Sequence, residues 1–251
     1  MRPLLAWALL VACSTSAHAC RAQAGGGEGV AVVELFGSEG CSSCPPADRL
    51  VQDRMRKANA LHEPIHLIAY QVPIWDHLGW KDRFARRQWE LRQREYGRRL
   101  QDGVFTPQCV VNGRWSFTGS DAAMLDARIQ ESLDDPVEVT ISGSARTTEP
   151  EGIAVDYTLS GPIDGREINV VLVEDGLDSQ VTRGENAGEH LVHEAVARAM
   201  RTVPLDELHR SGHVVLPTTD VESHQRLRVI LFVQDIGQGP VRGAISVRIG
   251  S

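Results

Sequence analysis

The chain contains no second pair of closely spaced cysteines. Its five cysteines are Cys13, Cys20, Cys41, Cys44 and Cys109, and only Cys41 and Cys44 form a C-x-x-C. A structural zinc site needs four Cys or His ligands, normally as two close pairs, so this lone pair is half of one. His62 and His66 have a metal-like spacing but flank Pro64 on the approach to an apolar strand. His190 with His193, and His209 with His213, read as strand and loop histidines satisfied by hydrogen bonds. No metal and no cofactor is expected. A run of about 20 apolar residues, as a membrane span requires, is also missing from the N-terminus, where Leu4 to Ala12 makes an apolar stretch of nine. Basic charge is in deficit too: the formal net charge is -7, and becomes -8 without Arg2. An acidic chain of this kind does not bind nucleic acid through bulk electrostatics.

What is present begins with a leader. Arg2, the short apolar run and the small polar residues through Ala19 read as a signal peptide over 1–19, so the mature protein is expected in the bacterial periplasm. Two processing points compete. Leu10-Val11-Ala12-Cys13 resembles a lipobox, which would leave a lipidated Cys13 as a membrane anchor; Ala17-His18-Ala19 is an A-x-A site for cleavage before Cys20. Residues 20–29, with Ala24-Gly25-Gly26-Gly27-Glu28-Gly29, read as a flexible tether. With 251 residues and 42% hydrophobic content, the remainder is long enough for two cores.

Val30 to Phe36 reads as a buried strand, and Pro45 to Ala60 as a helix with prolines in its first turn and Ala47, Val51, Met55 and Ala58 at helical spacing. Ile65 to Tyr70 completes a strand, helix, strand unit. Asp82 to Gln101 is a polar helix, Val104 to Phe117 a hairpin around Asn112-Gly113, and Ser120-Asp121 caps a last helix. Beyond Pro136 apolar residues alternate, as in Val137, Val139 and Ile141 or Ile245, Val247 and Ile249, which predicts antiparallel strands. The expected fold is an α/β thioredoxin-like domain over 30–135 followed by an all-β sandwich domain over 136–251.

Glu34-Leu35-Phe36, Ser38 to Asp48, Trp75-Asp76-His77-Leu78-Gly79-Trp80-Lys81-Asp82, Arg87-Gln88, Thr106-Pro107-Gln108 and Arg183-Gly184-Glu185-Asn186-Ala187-Gly188 together resemble an exported, thioredoxin-like family, domain of unknown function 1223. The resemblance covers nearly the whole mature chain and implies a bacterial envelope protein, without implying a substrate. Two departures stand out. Gln71-Val72-Pro73-Ile74 replaces the family's His-Val-Asp-Tyr run, and Cys109 replaces the Met that often follows Thr-Pro-Gln. Proton transfer by that His or Asp is therefore not available here, whereas the dithiol is retained.

Thiol exchange needs an exposed thiolate, and a helix N-terminus lowers the pKa of a cysteine placed there. Cys41 is the expected catalytic nucleophile and Cys44 the resolving thiol. Thr106 and Pro107 are the expected substrate-binding residues: a cis bond there would expose strand-like backbone to an extended chain. The partners would be thiols or disulfides of envelope proteins. A structural disulfide, or a non-catalytic metal-delivery or binding protein, is the alternative. Residues 81–101 carry eight Lys or Arg against three acidic residues, which reads first as a solvated face and otherwise as a means to stabilise the thiolate or attract an acidic partner. Trp75, Trp80 and Trp89 read as core closers before groove lining. Cys109 is expected as a buried free thiol.

Overall fold

A computed structural model of the protein describes residues 21–23, 29–148, 152–208 and 210–250. The leader, both processing points at Cys13 and Cys20, most of the 20–29 tether, and His209 lie outside the described residues.

Strand β1 (Arg21–Gln23) precedes β2 (Ala31–Gly37), which is buried at every position. That continuous burial is the mark of a strand covered on both faces. Helix α1 (Cys44–Leu61) follows; Pro45 and Pro46 sit in its first turn, where no intrahelical donor is lost, and Ala47, Val51 and Ala58 turn inward. It stops at His62, whose left-handed backbone returns N–H bonds to the last turn. Strand β3 (Ile65–Gln71) lies parallel to β2. A 3-10 turn (Pro73–Leu78) leads to α2 (Arg87–Leu100), which buries Trp89, Arg92, Gln93 and Tyr96 at helical spacing. Strands β4 (Gln108–Val111) and β5 (Trp115–Thr118) form a hairpin whose turn residues, Asn112 and Gly113, both have positive φ. Helix α3 (Ala122–Asp134) is capped by the Asp121 carboxylate, which accepts the Met124 N–H at 3.0 Å.

The second half is built of β6 (Thr140–Thr148), β7 (Gly152–Ser160), β8 (Arg166–Glu174), the paired short strands β9 (Leu177–Gln180) and β10 (His190–His193), β11 (Val196–Pro204), β12 (Ser211–Pro217), β13 (Leu227–Asp235) and β14 (Val241–Gly250). One twelve-stranded mixed sheet runs β12-β7-β6-β14-β13-β8-β11-β3-β2-β4-β5, with β1 added on β6.

The expected fold class, an α/β thioredoxin-like domain followed by an all-β sandwich, is therefore corrected. The protein is mostly β and its halves share a sheet, because β11 lies against β3 with Val196 opposite Ala69. Period-two alternation locates strands but says nothing about which distant strand each will pair with. A second signal was available: Val170 to Val173 on β8 and Val229 to Val233 on β13 are apolar at successive positions, and all are buried. Such runs belong to strands covered on two sides. Val171, Val173, Ile230 and Phe232 join a core with Trp89 and Tyr96, while Val170, Leu172, Val229 and Leu231 join another with Ile141 and Val155.

A buried charge crosses the first of these cores. Arg92 on α2 donates to Glu34 on β2, to the Tyr96 hydroxyl and to Gln234 on β13. Arg92 is 6% exposed and Glu34 1%. Removing one member of a buried pair leaves the other charge uncompensated, so Arg92→Ala is expected to lower the unfolding free energy by about 3–5 kcal/mol, measured by urea denaturation. The joint replacement Arg92→Met with Glu34→Leu is expected to cost less than Arg92→Ala alone. A loss from Arg92→Ala no larger than that of an exposed pair, such as Arg56 with Asp53, would contradict this account.

Candidate functional site

The C-x-x-C lies between the C-terminal end of β2 and the first turn of α1. The turn is closed by two backbone bonds, Cys41 N–H to the Ser38 carbonyl and Cys44 N–H to the Cys41 carbonyl, both 3.1 Å. Cys41 and Cys44 form a disulfide with Cα atoms 5.4 Å apart. Cys41 is 3% exposed and Cys44 2%, while Ser42 and Ser43 face solvent. Cys41 is as covered as Cys44, contrary to the exposed nucleophile expected, and the two differ instead in hydrogen bonding: the Thr106 hydroxyl donates to Cys41 Sγ at 3.3 Å, and Ser43 Oγ lies 3.4 Å from the same sulfur.

Thr106–Pro107 is a cis peptide bond and stands directly beside the pair. Trp75 Nε1 donates to Thr106 Oγ1 at 2.7 Å, which leaves that hydroxyl's proton for the sulfur. Behind it, Gln93 on α2 donates to the Phe105 carbonyl at 2.7 Å. The structure therefore brings together all four residues expected from the sequence, Cys41, Cys44, Thr106 and Pro107. Cys109, two residues on, is a buried free thiol on β4, and burial followed by the Glu34 charge pushes its pKa far above the ordinary thiol range.

A polar cluster that sequence reasoning missed lies under the loop. Glu39 (0% exposed), Asp82 (2%) and His193 (2%) are buried with Asp48 (9%) and Gln71 (1%). His193 Nε2 is 3.3 Å from Glu39 Oε1, a charge contact without hydrogen-bond alignment, and His193 Nδ1 is 3.4 Å from Asp48 Oδ2. Burial alone would lower the His193 pKa; Asp48 and Glu39 outweigh it and push it up to about 10. Burial would likewise raise Glu39, but its contacts with His193, Ser179 and Trp80 hold it below the ordinary value. Asp82 is pushed up to about 7 by burial and by repulsion from Glu39, while its oxygens accept the Glu39 N–H at 3.0 Å and the Phe84 N–H at 2.9 Å.

The tryptophans divide. Trp89 closes the core at 1% exposure, whereas half-buried Trp75 and Trp80 are tied by their indole N–H groups to Thr106 and Glu39. Five of the eight basic residues of 81–101 are drawn into ion pairs: Arg83 with Glu222, Arg86 with Asp220, Arg92 with Glu34, Arg94 with Glu90, and Arg98 with Glu95. Elsewhere His62 ends α1 and His66 lies on β3, while His190 pairs with Asp178 and His213 with Asp156. Among the described residues no group of three or more His, Cys, Asp or Glu is placed to hold a metal ion. Nor is any described helix long and apolar enough to cross a membrane.

Residues 32–234 match the family described as Protein of unknown function (DUF1223). The chain belongs to the DUF1223 family. Two solved structures resemble it over most of their length. Protein AGR_C_4864 from Agrobacterium tumefaciens is 25% identical with a TM-score of 0.65, over 87% of this chain and 94% of that one. HBP35 of Porphyromonas gingivalis is 11% identical with a TM-score of 0.68, over 90% of this chain and 77% of that one, a likeness of fold alone. No curated protein matches the sequence. The strings that resemble DUF1223 converge here: Glu39, Asp48, Trp75, Trp80, Asp82, Thr106 and Asn186, which donates to the Glu39 carbonyl, all belong to them, whereas Gln71, Gln93, Ser179 and His193 come from outside.

The cluster gives stability an unusual pH dependence. His193 binds its proton more tightly when folded, so its contribution is complete below the unfolded value of about 6.5 and is lost as pH rises toward 10. Asp82, raised to about 7, also holds a proton better in the folded state, and ionising it adds to the loss. The urea midpoint is expected to fall between pH 6 and pH 9.5, and His193→Gln is expected to flatten that fall. A midpoint that rises over this window would contradict the ion pairing of His193.

Proposed function

We propose that this DUF1223 protein is an exported thiol-disulfide exchange protein of the bacterial envelope, with Cys41 as nucleophile and Cys44 as resolving thiol. One observation carries the reading: a disulfide at the start of a helix, beside a cis X-Pro bond, with one sulfur alone receiving a hydroxyl hydrogen bond. A donor held on a sulfur favours its anionic form, and the thiolate is the exchanging species. The neutral Ser42 and Ser43 between the cysteines add no charge of their own.

In the reduced protein the Cys41 thiolate attacks one sulfur of a partner disulfide. A bond forms between Cys41 and that sulfur, the partner's S–S bond breaks, and the other partner sulfur leaves as a thiolate. The Cys44 thiolate then attacks Cys41 Sγ, the mixed disulfide breaks, and the second partner thiolate departs. Two electrons pass from the dithiol to the partner, and Cys41–Cys44 is the disulfide left behind. The reverse sequence oxidises a partner dithiol. Thr106 and Pro107, at the mouth of the pair, would receive the partner as an extended chain. The leader-like N-terminus supports the export, and its lipobox alternative would tether the protein to a membrane through Cys13.

The burial of both cysteines favours a second reading, a disulfide that only braces the loop. Equilibration in defined glutathione buffers separates the two. An exchanging pair is expected to interconvert reversibly with a potential above about -300 mV, where structural disulfides lie lower. Cys44→Ser is expected to accumulate a mixed disulfide with a partner through Cys41, and Cys41→Ser to accumulate none. A pair that stays oxidised under strong reduction, or equal trapping by both variants, would leave the bracing reading.

A further inference from the structure

The segment Arg183 to Gly188 belongs to the DUF1223-like strings, yet the exchange chemistry above does not use it. It is a compact turn, closed by Ala187 N–H to the Gly184 carbonyl (3.3 Å), Gly188 N–H to the Val181 carbonyl (2.8 Å) and Glu189 N–H to the Asn186 carbonyl (3.1 Å). Gly184, at φ +77, lets its backbone pack on Trp80, where an added Cβ would come within 3.2 Å of the Trp80 Cβ. From this turn two side chains reach the C-x-x-C loop. Asn186, 6% exposed, donates to the Glu39 carbonyl at 2.8 Å and to the Cys41 carbonyl at 3.0 Å. Exposed Glu185 accepts the Ser42 N–H through Oε2 at 3.3 Å.

We infer that Glu185 and Asn186 are positioning residues for the dithiol, through which the second half of the chain sets the proton affinity of Cys41. The inference rests on the exchange reading. A backbone N–H beside a thiolate favours the anion. The Ser42 N–H, on the residue next to Cys41 and ahead of α1, is already engaged by the Glu185 carboxylate. A negative charge held there opposes a second one on the Cys41 sulfur, so Glu185 keeps Cys41 protonated to a higher pH than it would be without that charge. It thereby favours the disulfide over a reduced form containing the thiolate. Asn186 holds the turn in register: its two donors fix the carbonyls on either side of Gly40, and Glu185 precedes it by one residue. Because Glu185 is exposed, its influence passes through water and is modest and screened by salt.

The test reduces the full chain with dithiothreitol and follows alkylation of Cys41 against pH, reading the Cys41 peptide by mass spectrometry. Glu185→Gln is expected to lower the proton affinity of Cys41 about threefold, a shift of about half a pH unit. The shift is expected to vanish in 1 M salt, where the screening length is about 3 Å. Glu189→Gln, which removes the same charge from the same turn, is expected to leave the profile in place. In an Asn186→Ala background, where the turn is no longer held, Glu185→Gln is expected to have less effect than in the wild type; if that variant does not fold, as judged by circular dichroism, the low-salt and high-salt profiles of Glu185→Gln decide alone. Identical profiles for wild type and Glu185→Gln at low salt, or an equal shift from Glu189→Gln, would overturn the inference. Since dithiothreitol does the reduction, the titration reads Glu185 even if glutathione fails to exchange with the pair, and that failure would count against the exchange reading separately.

Discussion

A positive charge on His193, held between Glu39 and Asp48, fixes where the C-x-x-C loop sits relative to the second half of the chain. Glu39 begins that loop, Asp48 lies in the first turns of α1, and His193 ends β10. One imidazole therefore bears on the loop, the helix and the second half at once. Trp80 and Asp82 complete the arrangement from the turn before α2, the first through its indole on the Glu39 carboxylate and the second through its carboxylate on the Glu39 N–H. Buried ions are tolerable only when paired and hydrogen-bonded. Here the carboxylates outnumber the imidazole, and the excess is eased by the proton that Asp82 retains near neutral pH.

The disulfide is framed on its other side by neutral groups. Thr106 and Ser43 offer hydroxyls, Trp75 orients the threonine, and Gln93 steadies the preceding backbone. The charged side of the site thus governs position, and the uncharged side faces the sulfur that would react. Of the arginines of α2 that the sequence makes conspicuous, Arg92, Arg94 and Arg98 are spent on Glu34, Glu90 and Glu95.

Much of the site was legible in the sequence because its parts are local. A C-x-x-C at a strand end with prolines just behind it, and a Thr-Pro before an apolar strand, are short patterns with a backbone reason. The fold was less legible. Alternation in 137–249 found strands, but β11 beside β3 is a pairing between residues more than a hundred positions apart, and no local pattern encodes it. His193 was hidden for the same reason. In sequence it stands near His190 and invites thoughts of a metal, whereas in space it meets Glu39 and Asp48. Glu185 and Asn186 were visible only as part of a DUF1223-like string, with nothing in the string to say that it folds back on Cys41.

The junction between β11 and β3 carries a mechanical consequence. A ladder of many main-chain bonds resists sliding at every rung, but this junction has one register pair, Val196 with Ala69, and a bond from Ala69 N–H to the Ala195 carbonyl. Shear along it meets little resistance from the backbone. The halves are aligned elsewhere by a bond from Val241 N–H to the Asn112 carbonyl and by side chains: Arg92 reaching Gln234, Gln52 reaching the Val192 carbonyl, His193 against Glu39. The sheet is continuous in topology, yet at this junction it is held in register by the packing on either side of it more than by its own main-chain ladder.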